Sequence, residues 1–244
     1  SIFVFFYNFV FAYDEKIGHP RIIEKAAKRL DFERYLITNL GFIDGLRTRF
    51  LKVSKNNILE WLREGSRLED SPWCRASNHF HNPLKPWEQS FLTDEPSWLG
   101  VYCSSMKPWY SNITWATGYL SPAGPEMIPT NQWMGWRDAR DYYYWALVSI
   151  SNTERETNFA KTFQALGQVS HLLQDMSVPA HVRNDFKSHY SSYGPDHKVY
   201  GMALNQFEKY VKGNPQLISL AQSKGPEFLN PSRITDFWDT DQYK

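Results

Sequence analysis

The chain has 244 residues, with 27 lysines and arginines against 26 aspartates and glutamates. A formal charge of +1 supplies no broad cationic field, which excludes a partner held by bulk charge and argues against a stable nucleic-acid complex. At 42% hydrophobic and 16% aromatic residues there is enough apolar material for one sizeable core, so global disorder is excluded too. The ten tryptophans point to a wet, aromatic-lined cleft or to a surface that meets lipid, because indole is amphipathic.

In chain order, residues 1–12 are separable from the rest. The run from Ile2 to Ala12 is apolar but shorter than the ~20 residues that span a bilayer. Val10 and Ala12 put small residues where a signal peptidase would need them for cleavage before Tyr13. The run therefore reads as a truncated signal peptide, and a secreted or periplasmic protein is expected; a buried apolar strand or helix is the alternative. Ile22, Ile23, Ala26, Ala27, Leu30, Ile37 and Leu40 recur at helical spacing and predict one helix from Pro20 to Leu40, stopped by Gly41. A second is expected from Asn56 to Glu64, with Ile58, Leu59 and Leu62 inward and Gly65 ending it.

From 66 to 136 eight prolines interrupt any period, and Trp73, Trp87, Trp98, Trp109, Trp115, Trp133 and Trp136 crowd the same stretch. Long irregular segments in compact domains are commonly functional, so this insertion is either a substrate-facing wall or a loop stapled by its tryptophans. Helical period returns over 137–150 and 155–176, halted by Ser177-Val-Pro179, and a last helix is expected over 200–212 with Gly213 beyond it. No alternating strand pattern of useful length occurs. The expected fold is all-α, a domain over 13–213 followed by a tail over 214–244. Cys74 and Cys103 have no zinc-knuckle or redox spacing, and they form one disulfide or remain two buried thiols.

The strongest local feature is Gln168-Val-Ser-His171-Leu-Leu-Gln-Asp175-Met-Ser-Val-Pro-Ala-His181. His171 and Asp175 are one helical turn apart and can close on a single cation, while Pro179 turns the chain so that His181 can return to the same place. Gln164, Gly167, Gln168 and Gln174 make the polar face beside the pair, and Phe163, Leu166, Val169, Leu172, Leu173 and Met176 the apolar one. Gly167 leaves room for a neighbouring backbone or ligand. The bland alternative is a solvated polar face with an incidental His–Asp pair. Asp70, in Gly65-Ser-Arg-Leu-Glu-Asp70, and Asn78-His79-Phe-His81 add a carboxylate and imidazoles, and His19 lies just before the first helix. Imidazole and carboxylate are the usual ligands of a catalytic zinc where thiolates are lacking. No Gly-x-Ser-x-Gly elbow, phosphate loop or cysteine-nucleophile signature is present.

The order His19, Gly-Ser-x-x-x-Asp70, Asn-His79-Phe, His171-x-x-x-Asp175 and Pro-x-His181 resembles the prokaryotic zinc-dependent phospholipase C family, which shares its fold with the single-strand-specific zinc nucleases. The resemblance spans roughly residues 13 to 211 and implies an all-helical domain holding a cluster of three zinc ions. It implies that Asp70, His79, His171 and Asp175 hold one zinc, that Asp175 bridges to a second also bound by His19, and that His181 belongs to the third. The family's mature chain begins with a Trp whose amine completes a site; here cleavage exposes Tyr13. Glu208 stands where the family has a glutamate in its third site, but Leu204 replaces the accompanying histidine, so His197 or His189 reaches in or that metal is weak or missing.

Clustered zinc ions neutralise phosphoryl oxygens and lower the pKa of water, which is what phosphodiester hydrolysis needs. Asp70 is the expected proton acceptor for the attacking water. Aromatic residues suit a choline phospholipid at a membrane surface, and the near-neutral charge favours that over single-stranded nucleic acid, which wants a positive groove as well. The expectation is a monomeric phospholipase C-like hydrolase; the alternatives are a nuclease-like phosphodiesterase and a non-catalytic, exported, Trp-rich lipid-binding protein with a degenerate metal site.

Overall fold

Between His19 and Val182 the described part of the chain holds eight α-helices and no strand, in a computed structural model that describes residues 18–121, 131–186, Pro125, Met127, Pro129, Tyr210, Gly213, Asn214, Gln216, Leu217 and Leu220. The all-α expectation holds there, and the one antiparallel contact is an isolated bridge between Arg49 and Asn57. Among the described residues no helix is long and apolar enough to cross a membrane. The apolar run 2–12 lies outside the described residues, as do the helix expected over 200–212, apart from Tyr210, and most of the tail. Gly213 itself has helical backbone, so it does not stop the chain where the sequence suggested.

Helix α1 (His19–Ala27) opens with Pro20, whose missing N–H is no loss in a first turn. It does not continue to Leu40. The chain breaks at Lys28 and Arg29, the latter extended at φ −69° and ψ 140°, and α2 (Leu30–Thr38) starts afresh with Asp31 and Glu33 in its first turn. The reason lies in the rotation per residue. Ile23 and Ala27 face the core, and a continuous helix would bring Arg34 to that same face three turns on from Ile23. The break buries Leu36 and leaves Arg34 and Ile37 exposed.

Helix α3 (Ile58–Leu68) is started by a reciprocal cap. Asn57 Oδ1 accepts from the Glu60 N–H at 2.9 Å, and Glu60 Oε2 accepts from the Asn57 N–H at 2.7 Å. It runs through Gly65 to Leu68, so that glycine is no stop signal. Its purpose is contact: a Cβ on Gly65 would lie 2.0 Å from the Gln164 carbonyl oxygen, and one on Gly167 would lie 2.2 Å from that of Leu62. The two glycines let α3 and α7 (Asn152–Asp175) touch backbone to backbone. The room expected beside Gly167 is thus filled by a neighbouring helix. Helix α7, capped by Ser151, is central and packs against α1, α3, α5 (Asn112–Thr117) and α6 (Trp136–Val148).

The stretch 66–136 is less irregular than its prolines suggested. It holds 3-10 turns at Trp73–Asn78, Trp87–Gln89 and Ser104–Met106, together with α4 (Ser97–Tyr102) and α5. Cys74 and Cys103 are joined in a disulfide with Cα atoms 5.4 Å apart, which decides between the two readings of those thiols. The tryptophans divide between interior and surface. Trp109 and Trp115 are buried and donate to Glu95 and Glu69, whereas Trp98, Trp133 and Trp136 are exposed. The apolar interior falls into two main clusters, a phenylalanine-rich one around Phe50, Phe159 and Phe163 and a second around Phe80, Trp115 and Leu172.

Candidate metal centre

The His/Asp cluster is assembled from four chain segments around the C-terminal half of α7. His19 is the first residue of α1, and Asp70 follows α3 and its last-turn cap Glu69. His79 closes the 3-10 turn Trp73–Asn78, and His171 and Asp175 project from one face of α7. The close approach allowed by Gly65 and Gly167 matters here, because it brings the Ser66 carbonyl within 2.6 Å of His171 Nδ1.

That bond assigns the ring. A carbonyl accepts, so His171 Nδ1 carries a proton, and in the neutral ring Nε2 is then the lone pair. This lone pair points at 3.5 Å to Asp70 Oδ2 and at 3.3 Å to Asp175 Oδ2, without a hydrogen bond to either. His19 Nδ1 similarly donates to Gln174 Oε1 at 2.9 Å, turning Nε2 to within 3.4 Å of Asp175 Oδ1. The His19 and His171 rings stack with centroids 3.6 Å apart. His79 Nδ1 lies 2.8 Å from Asp175 Oδ2, out of hydrogen-bond alignment, and 3.6 Å from Asp70 Oδ1. The side chains of His19, Asp70, His79, His171 and Asp175 are all buried.

Lone pairs of imidazole facing carboxylate oxygens in a dry site repel one another unless a proton or a metal cation lies between them. Two groups of donors have atoms within 4.8 Å of one another, His19 with His171 and Asp175, and Asp70 with His79 and His171, so these residues could hold a metal ion. The solvated-face alternative for His171 and Asp175 is overturned by their complete burial. The expected apolar side of α7 turns outward in part, with Leu173 73% exposed.

The metal-free charges follow from burial and neighbours. Burial pushes the Asp70 carboxyl up to about 6. His19 falls to about 3 through burial and then through the adjacent His171. Burial would depress His79 as well, but contacts with Asp175 and Glu69 outweigh it and raise the ring to about 10. The same contest raises His171 through Asp70 and Asp175, and it holds Asp175 well below the usual carboxylate range through His171 and His181 despite burial.

His19, Asp70, His79, His171 and Asp175 therefore come together as the sequence suggested. His181 on α8 (Pro179–Val182) is adjacent but belongs to neither donor group. Its Nδ1 donates to the His79 carbonyl at 3.0 Å, and its ring stacks on Phe80 with centroids 4.8 Å apart. His81 is buried nearby, its ring lowered to about 4 by burial, and it joins neither group. His189, His197 and Glu208, expected to complete a third site, and Tyr13 lie outside the described residues.

Sequence reasoning missed the partners behind the ligands: Ser66, Glu69, Arg75, Gln174 and Trp115. Trp115 Nε1 meets Glu69 Oε1 at 2.7 Å across 46 positions, a pairing that no local spacing announces. The groove lined by Trp145, Val148, Ile150 and Thr153 lies at the other end of α7 and contains no histidine or aspartate. Comparison of the chain with family models, curated proteins and solved structures gave no match.

Proposed function

We propose that the chain is a zinc-dependent hydrolase of phosphodiester bonds, a phospholipase C-like enzyme acting on phospholipids at a membrane surface. One observation carries this reading: His171 Nε2, Asp70 Oδ2 and the oxygens of Asp175 converge, buried and without hydrogen bonds, as a cation's ligands do. Neutral nitrogen and carboxylate oxygen without thiolate suit zinc in a catalytic setting. Bound zinc would supply Lewis acidity, neutralising phosphoryl oxygens and making nearby water more acidic.

The chain's own residues then divide the work. His19, Asp70, His79, His171 and Asp175 would hold the metal. Ser66 and Gln174 fix the His171 and His19 rings through their Nδ1–H groups. Asp70, whose Oδ2 is buried without a hydrogen-bond partner, accepts the proton of the attacking water. The Cys74–Cys103 disulfide supports export, since such bonds persist in oxidising compartments.

The test joins metal content by mass spectrometry to hydrolysis of phosphatidylcholine vesicles and of single-stranded DNA, with and without chelator. Bound zinc with chelator-sensitive release of phosphocholine is the expected result. Cleavage of DNA alone would move the substrate to nucleic acid, and a zinc-free, inactive chain after zinc incubation would overturn the reading. Asp70→Asn should lower turnover about 100-fold or more while most of the zinc stays bound; unchanged turnover removes Asp70 from the mechanism.

A further inference from the structure

Glu69 lies behind the donor set. It caps the C-terminus of α3 and is fully buried. Its carboxylate is held at both oxygens: Oε2 accepts from Arg75 Nη2 at 2.8 Å, and Oε1 accepts from Trp115 Nε1 at 2.7 Å. Arg75 is in turn fixed by donating to the Glu69 and Asn131 carbonyls at 3.0 and 3.1 Å and to the side-chain oxygens of Gln132 and Gln168, both at 3.0 Å. Its guanidinium also lies over the Trp115 ring, 5.0 Å from the centroid. A buried anion is thereby pinned in one position, its charge compensated by a cation that reaches nothing in the cluster.

His79 stands between this anion and the ligand carboxylates. Its Nε2 is 3.6 Å from Glu69 Oε1, an ion-pair separation longer than a hydrogen bond, while its Nδ1 faces Asp175 and Asp70. A neutral imidazole carries one N–H, and the pinned carboxylate on the Nε2 side favours the proton there. The lone pair is then at Nδ1, on the side of Asp70 and Asp175. His171 shows the opposite arrangement, with Nδ1–H committed to the Ser66 carbonyl and Nε2 turned to the cluster.

We infer that Glu69 is a positioning residue for the metal centre: it holds the His79 ring so that Nδ1 is the metal ligand and Nε2–H points away, with Arg75 and Trp115 fixing the carboxylate. The inference rests on the metal reading above. It makes the two central histidines ligate through different nitrogens, each set by a partner outside the cluster: a carboxylate for His79, which raises ligand basicity, and a backbone carbonyl for His171.

The test is histidine ring-nitrogen NMR on the chain titrated with zinc, joined to zinc affinity by chelator competition for the parent and for Glu69→Gln. The glutamine keeps the shape and one acceptor oxygen, so the bond from Trp115 or from Arg75 is kept while the anion and the other bond are lost. The expected result is that zinc shifts His79 Nδ1 while Nε2 keeps its proton, that His171 responds through Nε2, and that Glu69→Gln binds zinc about 10–100-fold more weakly. Zinc on His79 Nε2, or an affinity for Glu69→Gln within about twofold of the parent, would overturn the inference and leave the metal reading standing. If the variant does not fold, the parent's ring-nitrogen signals decide. A parent chain that takes up no zinc would overturn both readings.

Discussion

The two halves of α7 do different physical work within one helix. Its N-terminal half sends Phe159 and Phe163 into a cluster where the Phe50 ring stacks on both, with centroids 5.8 and 6.1 Å away. Its C-terminal half buries Gln168, His171 and Asp175, groups that cost free energy to remove from water unless each finds a partner. The first half gains stability by excluding water from hydrocarbon. The second spends some of that stability on burying a polar cluster that could hold a metal ion. The difference teaches that burial by itself does not mark a core; what matters is whether the buried atoms are satisfied.

That contrast can be broken at either end. The largest effect is expected from Phe163→Ala, which should cost about 3–5 kcal/mol in denaturant unfolding while the zinc stoichiometry of the folded fraction stays that of the parent. A lost zinc content with intact stability would reverse the assignment of the halves. Next is the cation. With zinc in about hundredfold excess over its dissociation constant, thermal unfolding should shift by about 2.7 kcal/mol relative to chelated protein, and His171→Ala should abolish that shift.

Gly167→Ala probes the junction between the halves. Its new Cβ would meet the Leu62 carbonyl at 2.2 Å, so about 1–3 kcal/mol of stability and the zinc-induced shift should be lost together, because Ser66 is pushed away from His171. A loss of stability with full zinc binding would separate the glycine contact from the site.

The metal-free chain tests the contrast through pH. His79 is raised to about 10, so the stability it contributes is fully present below its ordinary value of 6.5 and is lost as pH rises from there toward about 10. The melting temperature of chelated protein should fall across that window, and zinc should reduce the fall by replacing the proton at the ring. Chelated protein with a flat profile there would show that His79 is not held by Asp175 and Glu69 as described.

Much of the candidate site was legible because its spacing is local. His171 and Asp175 share a face through helical geometry alone, and Pro179 turns the chain toward His181. Asp70 and His79 were recognisable by residue type and by their place after a helix and a turn. The boundaries were less legible where a residue has two meanings. Gly65 reads as a stop and proves to be a contact, since only the partner helix reveals the 2.0 Å approach it avoids. Period alone joined α1 to α2, because apolar spacing counted Ile37 as inward without registering that the same face would carry Arg34.

The sequence by itself determined the helical class, the apolar stripes of α1 and α3 and the candidate ligands His19, Asp70, His79, His171 and Asp175. These depend on periods and on residue chemistry within a few turns of the chain. Tertiary structure decided that the polar face of α7 is buried, that Cys74 meets Cys103, and that Glu69, Arg75 and Trp115 stand behind His79. Each of those depends on segments far apart in sequence meeting in space, and the free energy of a buried charge is set by what it meets rather than by what it is.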